Sequence, residues 1–180
     1  MCERDAAQSV MTPAPADHRR ALTAAERALT RSVFGDAINL DSIAINRRRW
    51  WPFQPGNVIM APDGEIWCHP DGATYRACFA TSSPTWQALF VHEMVHVWQA
   101  QQKGRWYLPL MRHPFCLYGY TLAPGKAFAL YGIEQQAEIV KHAFMLRNGM
   151  RVPGTARLSD YEAILPFRGA PLVPGSASPK

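Results

Sequence analysis

The stretch SPTWQALFVHEMVHVWQAQQKG, residues 83–104, constrains the fold more than any other. Ser83 followed by Pro84 opens a helix well, because a proline at the first helical position gives up an N–H that has no intrahelical partner anyway. Neither proline nor glycine recurs before Gly104, so the spacing predicts one helix over 84–103. At about 100° per residue, Phe90, Val91, Met94, Val95, Val97 and Trp98 gather in one broad sector. His92, His96 and Gln99 fall in the opposite sector, with Glu93 at its edge. Such a helix needs a core for one side and polar company for the other.

His92-Glu93-x-x-His96 places two imidazoles one helical turn apart, where both can reach a single ion. Zinc favours neutral imidazole in a tetrahedral shell, and a catalytic shell keeps one position for water. Glu93 is one residue along from His92 and cannot easily join that shell. It is placed instead to take a proton from water.

Two histidines need a third protein ligand. A metzincin continuation would put glycine at 99 and histidine at 102, but the chain has Gln99 and Gln102. The remaining candidates are His113, Glu134, Glu138, His142 and Asp160. In GIEQQAEIVKHAF, Glu134 and Glu138 are four apart and share a face with Tyr131, while Ile133, Ala137, Val140 and Phe144 take the other side. Carboxylates in an apolar-rich helix are costly to desolvate unless a cation meets them. Glu134 is therefore the expected ligand, with Glu138 orienting a ligand histidine from behind. His142, two turns beyond Glu134, reads as a surface residue.

The rest of the chain reads as one domain. Residues 1–20 have no hydrophobic period and are expected to be an unstructured lead, 21–167 the folded domain, and 168–180 a Pro/Gly/Ser tail. Thr23 with Glu26 is a capping box for a helix that stops at Gly35. DSIAIN alternates as a strand with Ile43 and Ile45 inward, NVIMA and EIWC flank the turn Pro62-Asp63-Gly64 as a hairpin, and TYRACFA reads as a further strand. EIWC is a candidate edge for pairing with an extended peptide. Residues 105–125 read as irregular, 126–147 as a second long helix, and Ser159 with Glu162 as the cap of a short last one. Helix, strands, helix, loop, helix is an α+β order.

Charge and cysteine content add limits. A net charge of +5 permits anionic partners without demanding them. RRRWWPFQP, residues 47–55, has the residue types for nucleic-acid contact, but three charges beside a Pro-bounded turn read better as a strand end and a core anchor, so nucleic acid is not an expected partner. Cys2, Cys68, Cys78 and Cys116 lack C-x-x-C spacing, which excludes a Cys-based zinc ribbon. Cys68 and Cys78 read as free thiols, with pairing across a hairpin as the alternative. No apolar run is long enough to span a membrane.

HExxH followed by Glu134-x-x-x-Glu138 resembles the gluzincin class of zinc peptidases, in which a glutamate on a later helix completes the shell, commonly as E-x-x-x-D. Glu138 stands where aspartate is usual. The resemblance implies a compact zincin fold, with a small, mostly antiparallel sheet packed on the HExxH helix. It also implies Zn²⁺ on His92, His96 and Glu134, Glu93 as catalytic base, and peptide-bond hydrolysis. LTAAERALTRSVFGDAI, RRRWWPFQP, APDGEIW, ALFVHEMVHVWQ and IEQQAEIV are similar to a group of small bacterial proteins described as Vgr-related or Rhs-associated. That likeness implies a setting near type VI secretion, with a secretion spike or Rhs-type cargo as partner.

The expected function is thus a zinc metallohydrolase acting on a peptide or protein substrate. A non-catalytic, zinc-stabilised adaptor is the alternative. A hydrolase of this kind adds a donor for the oxyanion, and Tyr131 and His113 are the candidates. The opening MCERDAAQSV has no apolar signal-peptide core, so the expected location is the cytoplasm of the producing bacterium, with any export by a route that reads no such signal.

Overall fold

The capping box at Thr23 opens helix α1, Ala24–Phe34: Glu26 N–H donates to Thr23 Oγ1 at 3.2 Å, and Thr23 N–H donates to Glu26 Oε2 at 2.8 Å. Gly35 closes it at φ 57°, and a Cβ there would stand 2.6 Å from the Arg168 carbonyl oxygen, so glycine is required twice over. These are features of a computed structural model, which describes residues 18–111 and 117–169.

Among the described residues four short strands form one mixed sheet: β1 (Arg19–Ala21), β2 (Ala44–Arg47), β3 (Ile59–Met60) and β4 (Ile66–Cys68), in the order β1-β2-β4-β3. The β3–β4 pair is the expected hairpin, and β1–β2 is also antiparallel, whereas β2 and β4 run parallel. Arg19 and Arg20, read from the sequence as the end of an unpatterned lead, belong to β1. β4 lies inside the sheet, so EIWC offers no free edge; β1 and β3 are the outer strands.

TYRACFA is not a strand. Side chains satisfy its backbone instead of a ladder: Phe79 N–H donates to Glu26 Oε1 at 2.8 Å, and Arg20 Nη2 donates to the Arg76 carbonyl at 2.9 Å. Arg20 also grips Glu26 with two bonds, of 2.8 and 2.9 Å, on a carboxylate that is fully buried. One glutamate therefore joins β1, α1 and the segment leading into the histidine helix.

That helix, α2, spans Pro84–Lys103 as expected and ends at Gly104. Its apolar sector meets aromatic rings: Phe90 stacks on Phe79 at 5.4 Å, and Trp98 lies edge-on to Phe128 at 6.1 Å and Phe167 at 5.6 Å. Its polar sector is buried too, against helix α4, Ile133–Arg147. Between them lies a short helix, α3, Tyr107–Met111, in the region read as irregular.

The second long helix begins at Ile133 rather than near 126. Gly132 is extended, its N–H donates to Gln135 Oε1 at 3.1 Å, and Gln136 Nε2 donates back to the Tyr131 carbonyl at 2.9 Å. These bonds fix a start that leaves 126–132 outside the helix, with Phe128–Leu130 as a single 3-10 turn. The last helix, α5, Leu158–Glu162, is capped by Asp160, whose Oδ2 accepts from Arg157 N–H at 3.1 Å. Glu162, expected to serve that cap, instead pairs with Arg147 at 2.9 Å.

The arginines of 47–49 are engaged within the chain. Arg47 donates to the Pro70 carbonyl at 3.2 Å, Arg48 lies over Trp67 at 5.1 Å, and Arg49 donates to His69 at 2.7 Å. A core anchor is expected within 47–55, at no one residue in particular; Trp51 is 41% exposed. Cys68 and Cys78 are both free thiols.

Candidate metal centre

The buried polar sector of α2 meets the first turns of α4. Glu134 Oε2 lies 3.2 Å from His96 Nε2 and 3.4 Å from His92 Nε2. Glu134 is 1% exposed, His96 2% and His92 6%. One ligand atom from each of the three lies within 4.8 Å of the others, so the group could hold a metal ion. Ligands at zinc distances in a tetrahedral shell stand about 3.3 Å apart, which is the spacing the carboxylate keeps from both imidazoles. The donor set and its spacing fit a divalent ion of that kind.

The outer edges of both imidazoles are also occupied. Glu138 Oε1 lies 3.0 Å from His92 Nδ1. Gln99 Oε1 lies 2.9 Å from His96 Nδ1, while Gln99 Nε2 donates to the Ile133 carbonyl at 3.0 Å and to Gln136 Oε1 at 2.9 Å. Gln99 thus holds His96 from behind, a carboxylate stands behind His92, and both rings turn Nε2 toward Glu134. Gln99 was legible only as a member of the polar sector. Its spacing of three from His96 was the available signal.

Charge in this cluster is strongly coupled. Burial disfavours a charged His92, yet Glu134, Glu138 and the nearby Glu93 push its imidazole up to about 9. Burial would raise the Glu138 carboxyl, but His92 and Lys141 hold it down at about 2. The negative excess calls for a cation between the helices, and a proton and a metal ion compete for that place.

Glu93 is 5% exposed on the same turn as His92 and close enough to Cys68 of β4 to help raise its thiol to about 12, burial being the larger cause. The Tyr118 ring lies nearly parallel to His92, 6.4 Å away at 14°, and is half-exposed at the rim. Tyr131, a candidate oxyanion donor, turns elsewhere: its hydroxyl accepts from Ala123 N–H at 3.1 Å and donates to the Thr121 carbonyl at 3.4 Å. His113, the other candidate, lies outside the described residues. His142, read as a surface residue, is half-buried with its Nε2 3.4 Å from Glu138 Oε2. Its ring is covered by Tyr120, 5.7 Å away, and by Tyr161 of α5, 6.4 Å away, neighbours that helical spacing alone does not reveal.

A cavity of about 440 Å³ opens beside Glu134, walled by Tyr107, Met111, Leu117, Ala129 and Ile133. Among the described residues no helix is long and apolar enough to cross a membrane.

No family model matches the chain. It is 36% identical over 141 residues to the type VI secretion system spike protein VgrG2b of Pseudomonas aeruginosa strain PAO1. That match takes in 74% of this chain but 14% of the spike protein, so the chain corresponds to a small part of it. Among solved structures, the effector domain of Pseudomonas aeruginosa VgrG2b matches with a TM-score of 0.62 at 33% identity, over 72% of this chain and 75% of that one. With three quarters of that domain matched at one identity in three, the chain belongs to the family of the VgrG2b effector domain.

Proposed function

We propose that this domain is a zinc-dependent metallohydrolase of gluzincin type that cleaves a peptide or amide bond. The observation that carries the reading is the convergence of Glu134 Oε2 on the Nε2 atoms of both histidines, at 3.2 and 3.4 Å, with Glu93 buried beside them. His92, His96 and Glu134 would hold the ion. Zinc bound there supplies Lewis acidity and lowers the pKa of water. Glu93 accepts a proton from the attacking water at its carboxylate and returns it to the leaving amine. Glu138 and Gln99 keep the two imidazoles aimed while this happens.

The cavity beside Glu134 gives the substrate a place. Its walls include several apolar side chains, of which Leu117 and Met111 are exposed at 73% and 51%. An apolar side chain next to the scissile bond suits such a surface. Kinship with a spike protein's effector domain supports a role in type VI secretion, with the spike or an Rhs-type cargo as partner, and a protein or peptide of the recipient as substrate.

The test compares wild type with Glu93→Gln for zinc content and for hydrolysis of a casein-type substrate. The proposal expects equal zinc and a rate loss of roughly 10²- to 10⁴-fold. Equal hydrolysis by the two proteins, with zinc retained in both, would overturn the hydrolase reading in favour of the adaptor.

A further inference from the structure

Beyond Glu138, a line of polar side chains continues away from the metal cluster. Glu138 Oε2 lies 3.4 Å from His142 Nε2. The other edge of that ring, Nδ1, is 2.6 Å from the Tyr120 hydroxyl, and that hydroxyl is 2.9 Å from the Tyr161 hydroxyl. Tyr161 is 1% exposed, and its ring stands at 88° to Tyr120 and 84° to His142. The three rings come from the loop before α4, from α4 itself and from α5, so the line ties three segments to one carboxylate.

The second oxygen of Glu138 is shared between Lys141 Nζ at 2.6 Å and His92 Nδ1 at 3.0 Å. A glutamate on a helix has three side-chain torsions, and a single contact leaves its carboxylate free to turn. Contacts on both oxygens do not. Apolar groups of the same size would fill this space at less desolvation cost than two phenols and an imidazole, so the polar line needs a purpose beyond packing.

We infer that His142, braced by Tyr120 and Tyr161, is a positioning residue for the metal centre, fixing the Glu138 carboxylate so that His92 presents Nε2 toward Glu134. The inference rests on the reading of His92, His96 and Glu134 as metal ligands. Its chemistry is that of a ligand imidazole whose far nitrogen is held by a carboxylate, here with the carboxylate held in turn.

The test measures zinc affinity of the full chain by competition with a chromophoric chelator, alongside thermal unfolding. Wild type, Glu138→Ala, His142→Ala, the double variant and Tyr120→Phe are compared. Glu138→Ala should weaken zinc binding by roughly 10- to 100-fold, and His142→Ala by about 10-fold. The double variant should bind no more weakly than Glu138→Ala alone, because His142 acts through Glu138. Tyr120→Phe removes one hydroxyl and should shift affinity in the same direction, and it carries the test if His142→Ala does not fold. Unchanged affinity in His142→Ala and Tyr120→Phe, or losses that add in the double variant, would overturn the inference while leaving the metal site standing. A wild type that takes up no zinc would overturn the metal reading itself.

Discussion

Gln99 and His96 sit three residues apart on α2 with Oε1 and Nδ1 2.9 Å apart, and the amide reaches on to the Ile133 carbonyl at the start of α4. The same glutamine therefore aims a histidine and joins the two helices that build the site. Gln99→Leu keeps the volume and removes both functions. Zinc affinity should fall by roughly 10- to 100-fold, measured by chelator competition, with the histidines intact.

Glu134 carries more than affinity. It is a carboxylate at 1% exposure facing two imidazoles, so an ion bound there stabilises the folded chain. Saturating zinc should raise the unfolding midpoint by several degrees, and stripping it with a chelator should reverse the gain. In Glu134→Ala the midpoint should no longer respond to zinc. A zinc-dependent midpoint in that variant would disprove the assignment of Glu134.

Glu26 sets an acid limit on stability. Burial would raise its pKa, but Arg20 and the backbone N–H groups of Phe79 and Thr23 hold it below the usual carboxylate value. A carboxyl depressed in the folded state contributes stability that is complete above its unfolded pKa and lost as pH falls through the folded one. Denaturant titrations from pH 7 to pH 3 should show Glu26→Gln already destabilised at neutral pH and its deficit shrinking below about pH 4.5. Breaking this buried pair with Arg20→Met should cost about 3 kcal/mol, because the buried carboxylate loses its only counter-charge in the pair and keeps just two backbone N–H donors.

The two described thiols should react differently. Cys68 is fully buried with its thiol pushed up to about 12. Cys78 is partly exposed, and although burial opposes it, hydrogen bonds to Thr23 and Thr81 lower its pKa. Iodoacetamide on the native protein, followed by peptide mapping, should label Cys78 well before Cys68. Equal labelling would mean that the segment around β4 opens readily.

Ala129 is an exposed wall of the cavity beside Glu134. Ala129→Trp fills that space without touching a proposed metal ligand. Turnover of peptides with a bulky apolar residue next to the cleaved bond should fall at least several-fold while zinc content stays constant. Unchanged selectivity would place the substrate elsewhere on the rim.

Periodicity, caps and motif spacing determined a good part of this protein. The bounds of α2, the capping box at Thr23, the β3–β4 hairpin and the pairing of two histidines with a glutamate 38 residues beyond His96 were all legible, because each is a local pattern or follows from the ligand arithmetic of one ion. Long-range pairing was not legible. β1 is three residues long and exists only because β2 offers it a partner, and 74–80 is irregular because Glu26 and Arg20 take its backbone groups. The same holds at the site. Spacing placed His92, His96, Glu134 and Glu138 on two helix faces, but only the packing of α4 on α2 decided that Gln99 would hold His96, that His142 would meet Glu138 and that Tyr131 would turn away. A helix face is written in every third or fourth residue of one segment, whereas what covers that face depends on where a second segment starts, and here Gly132 set that start.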